Sequence, residues 1–393
     1  MRIGRVLPPA AAPLGWSDLW HGAAASLSPR RALREFEDDV RQHFGVRHVF
    51  LLSSGTAALT VTLRALRSLS LRREVLLPAY TCFSVPAAVL EAGLRPALCD
   101  IDPATFDFDH ALLDQTVTAS TLCVVGHHLF GVPSDIERLR AICHARGIFV
   151  VEDAAQGMGA ESNGRQLGTV GDVGIFSLGR GKNVTCGSGG VIVTNSDEIA
   201  VAVVREYASV KTASLRDIVR DCIEAVFLAV FIRPSLYWMP SALPFLRLGQ
   251  TVFPKNIRVR RLSGLKAGLL RNWRRSLAQA NRARSETAAY LCGRLRVQPA
   301  SGTSHPYLRL PVLAGSAREK ARIHALSRAR GLGLSAAYPS PLNEVPEVRA
   351  LVNGHRFPSA RRVADCLLTL PTHHWLTDRD KQAIAELCQD IRR

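Results

Sequence analysis

The chain has 393 residues, 47% hydrophobic and 21% charged, a globular mixture that excludes a disordered, collagen-like or low-complexity protein and leaves room for two domains. Fifty Lys+Arg against 33 Asp+Glu leave a formal charge of +17. No basic block marks a nucleic-acid tail, so the surplus suits a phosphorylated small molecule, an anionic lipid or a solvated arginine-rich surface.

From the N-terminus, residues 1–27 lack an unbroken apolar core and are not expected to be a signal peptide. Charged and apolar positions alternate at helical spacing over Pro29 to Phe44, and Val46 to Leu52 reads as a strand. Ser53-Ser54-Gly55-Thr56 opens an apolar helix, Ala57 to Leu66. Further strands are predicted at Glu74–Pro78, Arg95–Asp100, Leu122–Val125, Ile148–Val151 and Val191–Thr194, with helices at Pro86–Ala92 and Ser134–Ala145 between them. Repeated strand–helix–strand units of this length predict an α/β fold, a largely parallel sheet with helices on both faces and a core ending near residue 200. Residues 218–248 are apolar and aromatic but broken by Arg233 and three prolines, too short to span a membrane. They read as a hairpin packed in the core or at a subunit interface, or as a surface touching lipid or a greasy substrate. Leu262–Leu295 is expected as one long Arg-rich helix. Leu308–Leu313 (strand), Lys320–Arg330 and Thr377–Ile391 (helices) suggest a smaller α+β unit, giving expected domains of 1–255 and 256–393.

Six residues supply all the lysine in a chain that otherwise uses arginine, and the first of them is Lys182, within Gly-Arg-Gly-Lys-Asn. An arginine cannot form a Schiff base, whereas a lysine amine can once its surroundings lower its pKa. Ile148-Phe-Val-Val-Glu-Asp153 brings an acid to the carboxyl end of a strand, where open α/β sheets bind ligands, although Asp153 also suits a helix cap. Small residues and hydroxyls at Ser53 to Ala57 leave helix-start amides for a phosphate, or simply cap the helix. Ser177 adds a hydroxyl five residues before Lys182. Together these describe a pyridoxal-phosphate (PLP) site: lysine for the imine, acid for the ring nitrogen, helix start for the phosphate. His127 and His128 read as packed residues, and nine single cysteines without Cys-x-x-Cys or Cys/His ligand spacing read as reduced thiols, so no metal is expected.

In these motifs the chain resembles the fold-type I nucleotide-sugar aminotransferases, the DegT/StrS group. The carrying segments are Ser54-Gly-Thr-Ala-Ala-Leu59, Pro78-Ala-Tyr-Thr81, Asp100-Ile-Asp-Pro103, His128-Leu-Phe-Gly131, Glu152-Asp-Ala-Ala-Gln156, Gly168-Thr-Val-Gly-Asp172, and Phe176-Ser177 through Lys182-Asn183 to Gly189-Gly190. Weaker matches follow at Tyr338-Pro-Ser-Pro-Leu342 and Leu370-Pro-Thr372. The resemblance implies Lys182 as the lysine joined to PLP, Asp153 at its ring nitrogen and Gln156 beside its phenolic oxygen. Gly55, Thr56, Ala57 and Ser177 would hold its phosphate. Relatives that use PLP for dehydration carry His in place of this lysine, so Lys182 points to amino transfer.

Three departures stand out. Cys82, with Phe83 next to it, occupies the place of a stacking aromatic, so either Phe83 takes that role or the cofactor ring packs against the thiol. Pro254-Lys-Asn256-Ile-Arg258 stands where the group has Gly-x-Asn-x-Arg, whose Asn reaches the neighbouring subunit's phosphate. Gly179-Arg180 replaces a common His-Pro, making Arg180 a candidate for substrate phosphate or donor carboxylate, with Tyr338 a further substrate candidate. The resemblance implies a homodimer that moves nitrogen from an amino acid, L-glutamate by resemblance, to a keto group of a nucleotide-activated sugar; the scattered cysteines suit a cytoplasmic protein, and the charge pattern gives no nucleic-acid partner. Two alternatives stay open. One is the same chemistry on a lipid-linked or membrane-proximal substrate reached through 218–248. The other is a silent PLP-binding sensor or scaffold.

Overall fold

The computed structural model describes residues 4–12, 14–243, 251–299, 301–352, 354–389 and 391. Its main sheet uses β1 (His48–Leu52), β2 (Glu74–Pro78), β3 (Arg95–Cys99), β4 (Thr121–His127) and β5 (Phe149–Asp153). After a two-residue hairpin, β6 (Glu161–Ser162) and β7 (Arg165–Gln166), it is completed by β8 (Val173–Ser177) and β9 (Gly190–Thr194). The order is β1-β9-β8-β5-β4-β2-β3, parallel from β3 to β8, with β9 antiparallel to both neighbours. Helices on both faces explain why the central strands are continuous apolar runs: all seven residues of β4 are buried. The predicted parallel α/β sheet is therefore present.

The strand β8 was not anticipated, because Val-Gly-Ile-Phe-Ser is short and interrupted by glycine. Gly174 is required there: a Cβ would lie 1.8 Å from the Gly168 carbonyl oxygen. The strand expected from Val46 starts only at His48, since Gly45 (φ 62°) caps the preceding helix and the Val46 amide still bonds to the Arg41 carbonyl. The single helix expected over Leu262–Leu295 is two, Gly264–Leu269 and Trp273–Leu295. The first is set by packing, because Cβ atoms on Gly264 and Gly268 would lie 2.4 Å from Pro29 and Ala25. A helix over Trp16–Ala25, absent from the sequence reading, supplies that second surface.

Beyond these helices, β10 (Arg309–Leu313) and β11 (Leu367–Pro371) form a two-stranded antiparallel sheet with helices Ala317–Arg330, Pro358–Cys366 and Asp378–Cys388. The apolar segment is no buried hairpin. It is a helix, Leu215–Phe231, started by a reciprocal Ser214–Asp217 cap, followed by a short helix Trp238–Ser241. Ala225, Leu228 and Ala229 are buried, while Leu215, Val219 and Ile223 are 76%, 52% and 65% exposed. Residues 244–248 of that segment lie outside the described residues. Among the described residues no helix is long and apolar enough to cross a membrane.

Candidate active site

Lys182 sits on the loop joining β8 to β9, folded back by Leu178 and Cys186 amides that donate to the Gly189 and Leu178 carbonyls at 2.8 and 3.1 Å. Gly181 takes a left-handed conformation (φ 70°) next to the lysine. The Arg284 guanidinium lies beneath this loop. It is 1% exposed and donates to the carbonyls of Lys182, Asn183 and Ala11 at 3.3–3.4 Å and to Asn281 Oδ1 at 2.9 Å. Lys182 opens into a cavity of roughly 300 Å³ shared with Gln156, Arg180, Arg309 and Tyr338. Burial pushes its amine below the ordinary lysine range; Cys82 and Asp153 oppose that shift and Arg309 adds to it.

Strand alternation divides the two adjacent acids. Glu152, fully buried, accepts from His128 Nε2 at 2.8 Å and from the amides of Gly168, Val170 and Gly171 at 2.6–2.7 Å. Burial alone would raise its carboxyl, but His128 and these amides together hold it below the ordinary range. Asp153 points to the opposite face of the sheet, toward Lys182, with Oδ1 accepting from the Ala155 amide at 3.0 Å. Gln156 is pinned from both ends: Oε1 accepts from the Phe130 amide at 3.3 Å, and Nε2 donates to Tyr338 Oη at 3.2 Å. Tyr338 is held in turn by Tyr80, whose hydroxyl donates to its carbonyl (3.1 Å) and accepts from its amide (3.2 Å).

The helix Gly55–Ser68 begins beside the same strand ends. Ser54 Oγ caps it by accepting from the Ala57 amide at 3.0 Å, while the Gly55 and Thr56 amides have no acceptor among the described residues. Gly55 is pressed against Ser177, since a Cβ there would be 2.9 Å from Ser177 Cβ and 3.1 Å from its Oγ. Gly190 is equally constrained, with a Cβ position 2.2 Å from the Ser54 carbonyl oxygen. Gly55, Thr56 and Ser177, read separately in sequence, thus lie together at a helix start whose Gly55 and Thr56 amides are free to donate, whereas the Ala57 amide is taken by the Ser54 cap.

Other candidates fall differently. Phe83 is 6% exposed and stacks on Tyr338 at 6.3 Å, while half-buried Cys82 is close enough to influence Lys182 and its sulfur accepts from Ser84 Oγ at 3.0 Å. Arg180 lines the cavity but is exposed, with Nε 3.6 Å from Glu224 on the apolar helix. Asn256 is exposed and makes no hydrogen bond among the described residues. His127 bonds Thr81 Oγ1 and the Phe106 carbonyl, and His128 bonds Glu152 and the Ser134 amide, so both rings serve packing. Sequence reading missed Arg309 and Arg284, while Phe227, Phe231 and Tyr237, which wall the cavity, lie in the apolar segment it had marked as a surface for lipid or a greasy substrate. Tyr80 lay inside a recognised segment, but the two arginines carry no local signal because they arrive from distant chain.

Residues 25–216 match the DegT/DnrJ/EryC1/StrS aminotransferase family. They are a domain of that family. The L-glutamine:2-deoxy-scyllo-inosose aminotransferase of Streptoalloteichus tenebrarius is 37% identical over 169 residues, 43% of this chain and 40% of that protein. The GDP-perosamine synthase of Caulobacter vibrioides is 34% identical over 170 residues, 43% and 46% of the two chains. The aligned stretch thus spans less than half the length of these relatives. The crystal structure of the sugar aminotransferase CalS13 from Micromonospora echinospora superposes with a TM-score of 0.78 at 23% identity, over 98% of this chain and 99% of that one. The family match ends at Leu215–Arg216, where the apolar helix begins, so that helix lies beyond the matched domain.

Proposed function

We propose that the protein is a PLP-dependent aminotransferase moving an amino group from an amino acid to a keto group of a nucleotide-activated sugar, in cell-surface polysaccharide or secondary-metabolite sugar biosynthesis. The observation that carries this reading is the meeting of Lys182, Asp153 and the helix start packed on Ser177 around the carboxyl ends of β5 and β8. The donor set fits PLP: a primary amine of lowered basicity, a carboxylate on its side of the sheet, and two helix-start amides with a hydroxyl for a phosphate. Bound there, PLP supplies an electron sink for the electron pair left when an amino acid loses its α-proton. Asp153 would keep a proton on the ring nitrogen. Lys182 Nζ, its basicity lowered by burial, would take the proton from the donor Cα. Gln156 has one N–H left after its bond to Tyr338, which would be available to the cofactor's phenolic oxygen.

The donor is proposed to be L-glutamate or L-glutamine, the second because the S. tenebrarius relative carries it in its name. We further propose a cytoplasmic homodimer with small-molecule substrates and no nucleic acid, in which Asn256, exposed on its own chain, reaches the second subunit. Borohydride trapping with peptide mapping tests the core of the reading. The label is expected on Lys182; a label elsewhere, or none, would overturn it.

A second reading is favoured by one observation. On the apolar helix, Leu215, Val219, Ile223, Val226 and Phe227 form an exposed stripe flanked by exposed Arg216 and Arg220, while Phe227, Leu228 and Phe231 line the cavity. Such a helix suits contact with an anionic membrane next to a lipid-linked or membrane-proximal acceptor. Co-sedimentation with anionic vesicles, lost on Val219→Asp/Ile223→Asp, supports it; no vesicle binding by the wild type excludes it.

A further inference from the structure

Two guanidinium groups near Lys182, those of Arg284 and Arg309, are treated in opposite ways. Arg284 is surrounded by carbonyl oxygens and an asparagine. Arg309, at the start of β10, has no such company. Its Nε is buried with no hydrogen-bond partner, no carboxylate among the described residues pairs with it, and its guanidinium lies 5.3 Å from the centre of the Phe130 ring. It lines the cavity with Lys182, Arg180, Gln156 and Tyr338, and none of the residues on that wall is acidic. Glu224, just outside, is taken by Arg180.

A guanidinium stays charged in any protein environment, so withdrawing it from water without a partner is unfavourable unless something else supplies the anion. Phe130 fixes the guanidinium from one side by a cation–π contact, and Phe130 itself is held in a left-handed backbone conformation (φ 59°) whose amide donates to Gln156 Oε1. The fork is therefore held in place and points into the space that Lys182 also faces.

Resting on the aminotransferase reading above, we propose that Arg309 is the recognition residue for a carboxylate of the amino-acid donor, taken by its guanidinium in a charge-assisted hydrogen bond. A donor's α-carboxylate is one bond from the carbon whose proton Lys182 removes, so it must lie near the lysine. The phosphates of a nucleotide sugar lie several bonds from the reacting keto carbon and have no such constraint. The PLP phosphate would be held at the helix start beside Gly55 and Ser177. Arg180, the candidate named from sequence, is exposed and already faces Glu224, which leaves Arg309 the better placed of the two.

The test is calorimetric titration of the purified protein with glutarate, its neutral counterpart glutaramide and inorganic phosphate, on wild type, Arg309→Gln and Arg309→Lys. Wild type should prefer glutarate to glutaramide; Arg309→Gln should lose about tenfold or more in glutarate affinity with glutaramide unchanged, and Arg309→Lys should fall between. Unaltered glutarate binding in Arg309→Gln overturns the proposal. So does an equal loss for both ligands, which would mean a merely structural role, or Arg309-dependent binding of phosphate but not glutarate. The titration reads the arginine whether or not Lys182 carries the cofactor. Failure of borohydride labelling therefore counts against the aminotransferase reading and a flat glutarate series against Arg309.

Discussion

The inner end of the cavity and its outer wall are built on different principles. The inner end is backbone-dense. Gly55 and Gly190 allow chain segments closer than any side chain would permit, and Glu152 is closed by four donors. The outer wall is one helix, Leu215–Phe231, tied down mainly by side chains. Buried Lys266 (3% exposed) reaches Asp221 at 3.0 Å and Ser188 Oγ at 2.6 Å, Ser263 donates to Asp221 at 3.0 Å, and Arg180 faces Glu224. The first kind of construction holds atoms for chemistry, whereas the second adds a wall without altering what lies beneath it. The match to the family covers the first region and stops where the second begins.

Breaking the inner end should have the largest consequences. Lys182→Ala should abolish the absorbance of the lysine-bound cofactor and lower the donor half-reaction by at least about 10²–10⁴-fold, as stopped-flow spectroscopy would read. In the wild type the same half-reaction should rise with pH through a limb below the ordinary lysine range, because burial favours the neutral amine. Glu152→Ala leaves His128 and three amides without their acceptor, for an expected loss of about 3–5 kcal/mol in denaturant unfolding. The Glu152 carboxyl is depressed in the folded state, so its stabilisation is present above its unfolded pKa and lost as pH falls through the folded value.

The wall should respond less, and locally. Asp221→Leu strands Lys266 and is expected to cost about 3 kcal/mol, whereas Asp221→Leu/Lys266→Met together should recover most of it, and with Lys266→Met alone these complete a double-mutant cycle for the pair. Neither change should move the cofactor spectrum. Smallest of all, Ile223→Asp on the exposed stripe should change stability by no more than about 0.5 kcal/mol while reducing any vesicle binding.

Much of the fold was legible because it depends on short-range periodicity. Apolar runs of strand length, separated by helices with Ser, Thr or Gly at their ends, specify parallel strands and their crossovers. Where the reading failed, a distant contact had intervened. The helix expected over Leu262–Leu295 breaks because residues 264–269 must fit against Pro29 and Ala25. The strand ending in Ser177 is short, and its glycine looks like a breaker until the Gly168 carbonyl is seen lying over it.

The amino-acid sequence by itself determined which reactive groups exist and roughly where they fall: one lysine after a strand, one acid at another strand's end, and small residues opening a helix. These are chemical identities and local spacings. Folding alone decided which of two neighbouring acids faces the lysine, which of two arginines near it has no carboxylate or carbonyl partner among the described residues, and that an apolar helix walls the cavity. The reason is desolvation: a charge's state depends on which groups surround it, and for Arg309 and Lys182 some of those groups, Cys82 among them, come from segments a hundred or more residues away in sequence.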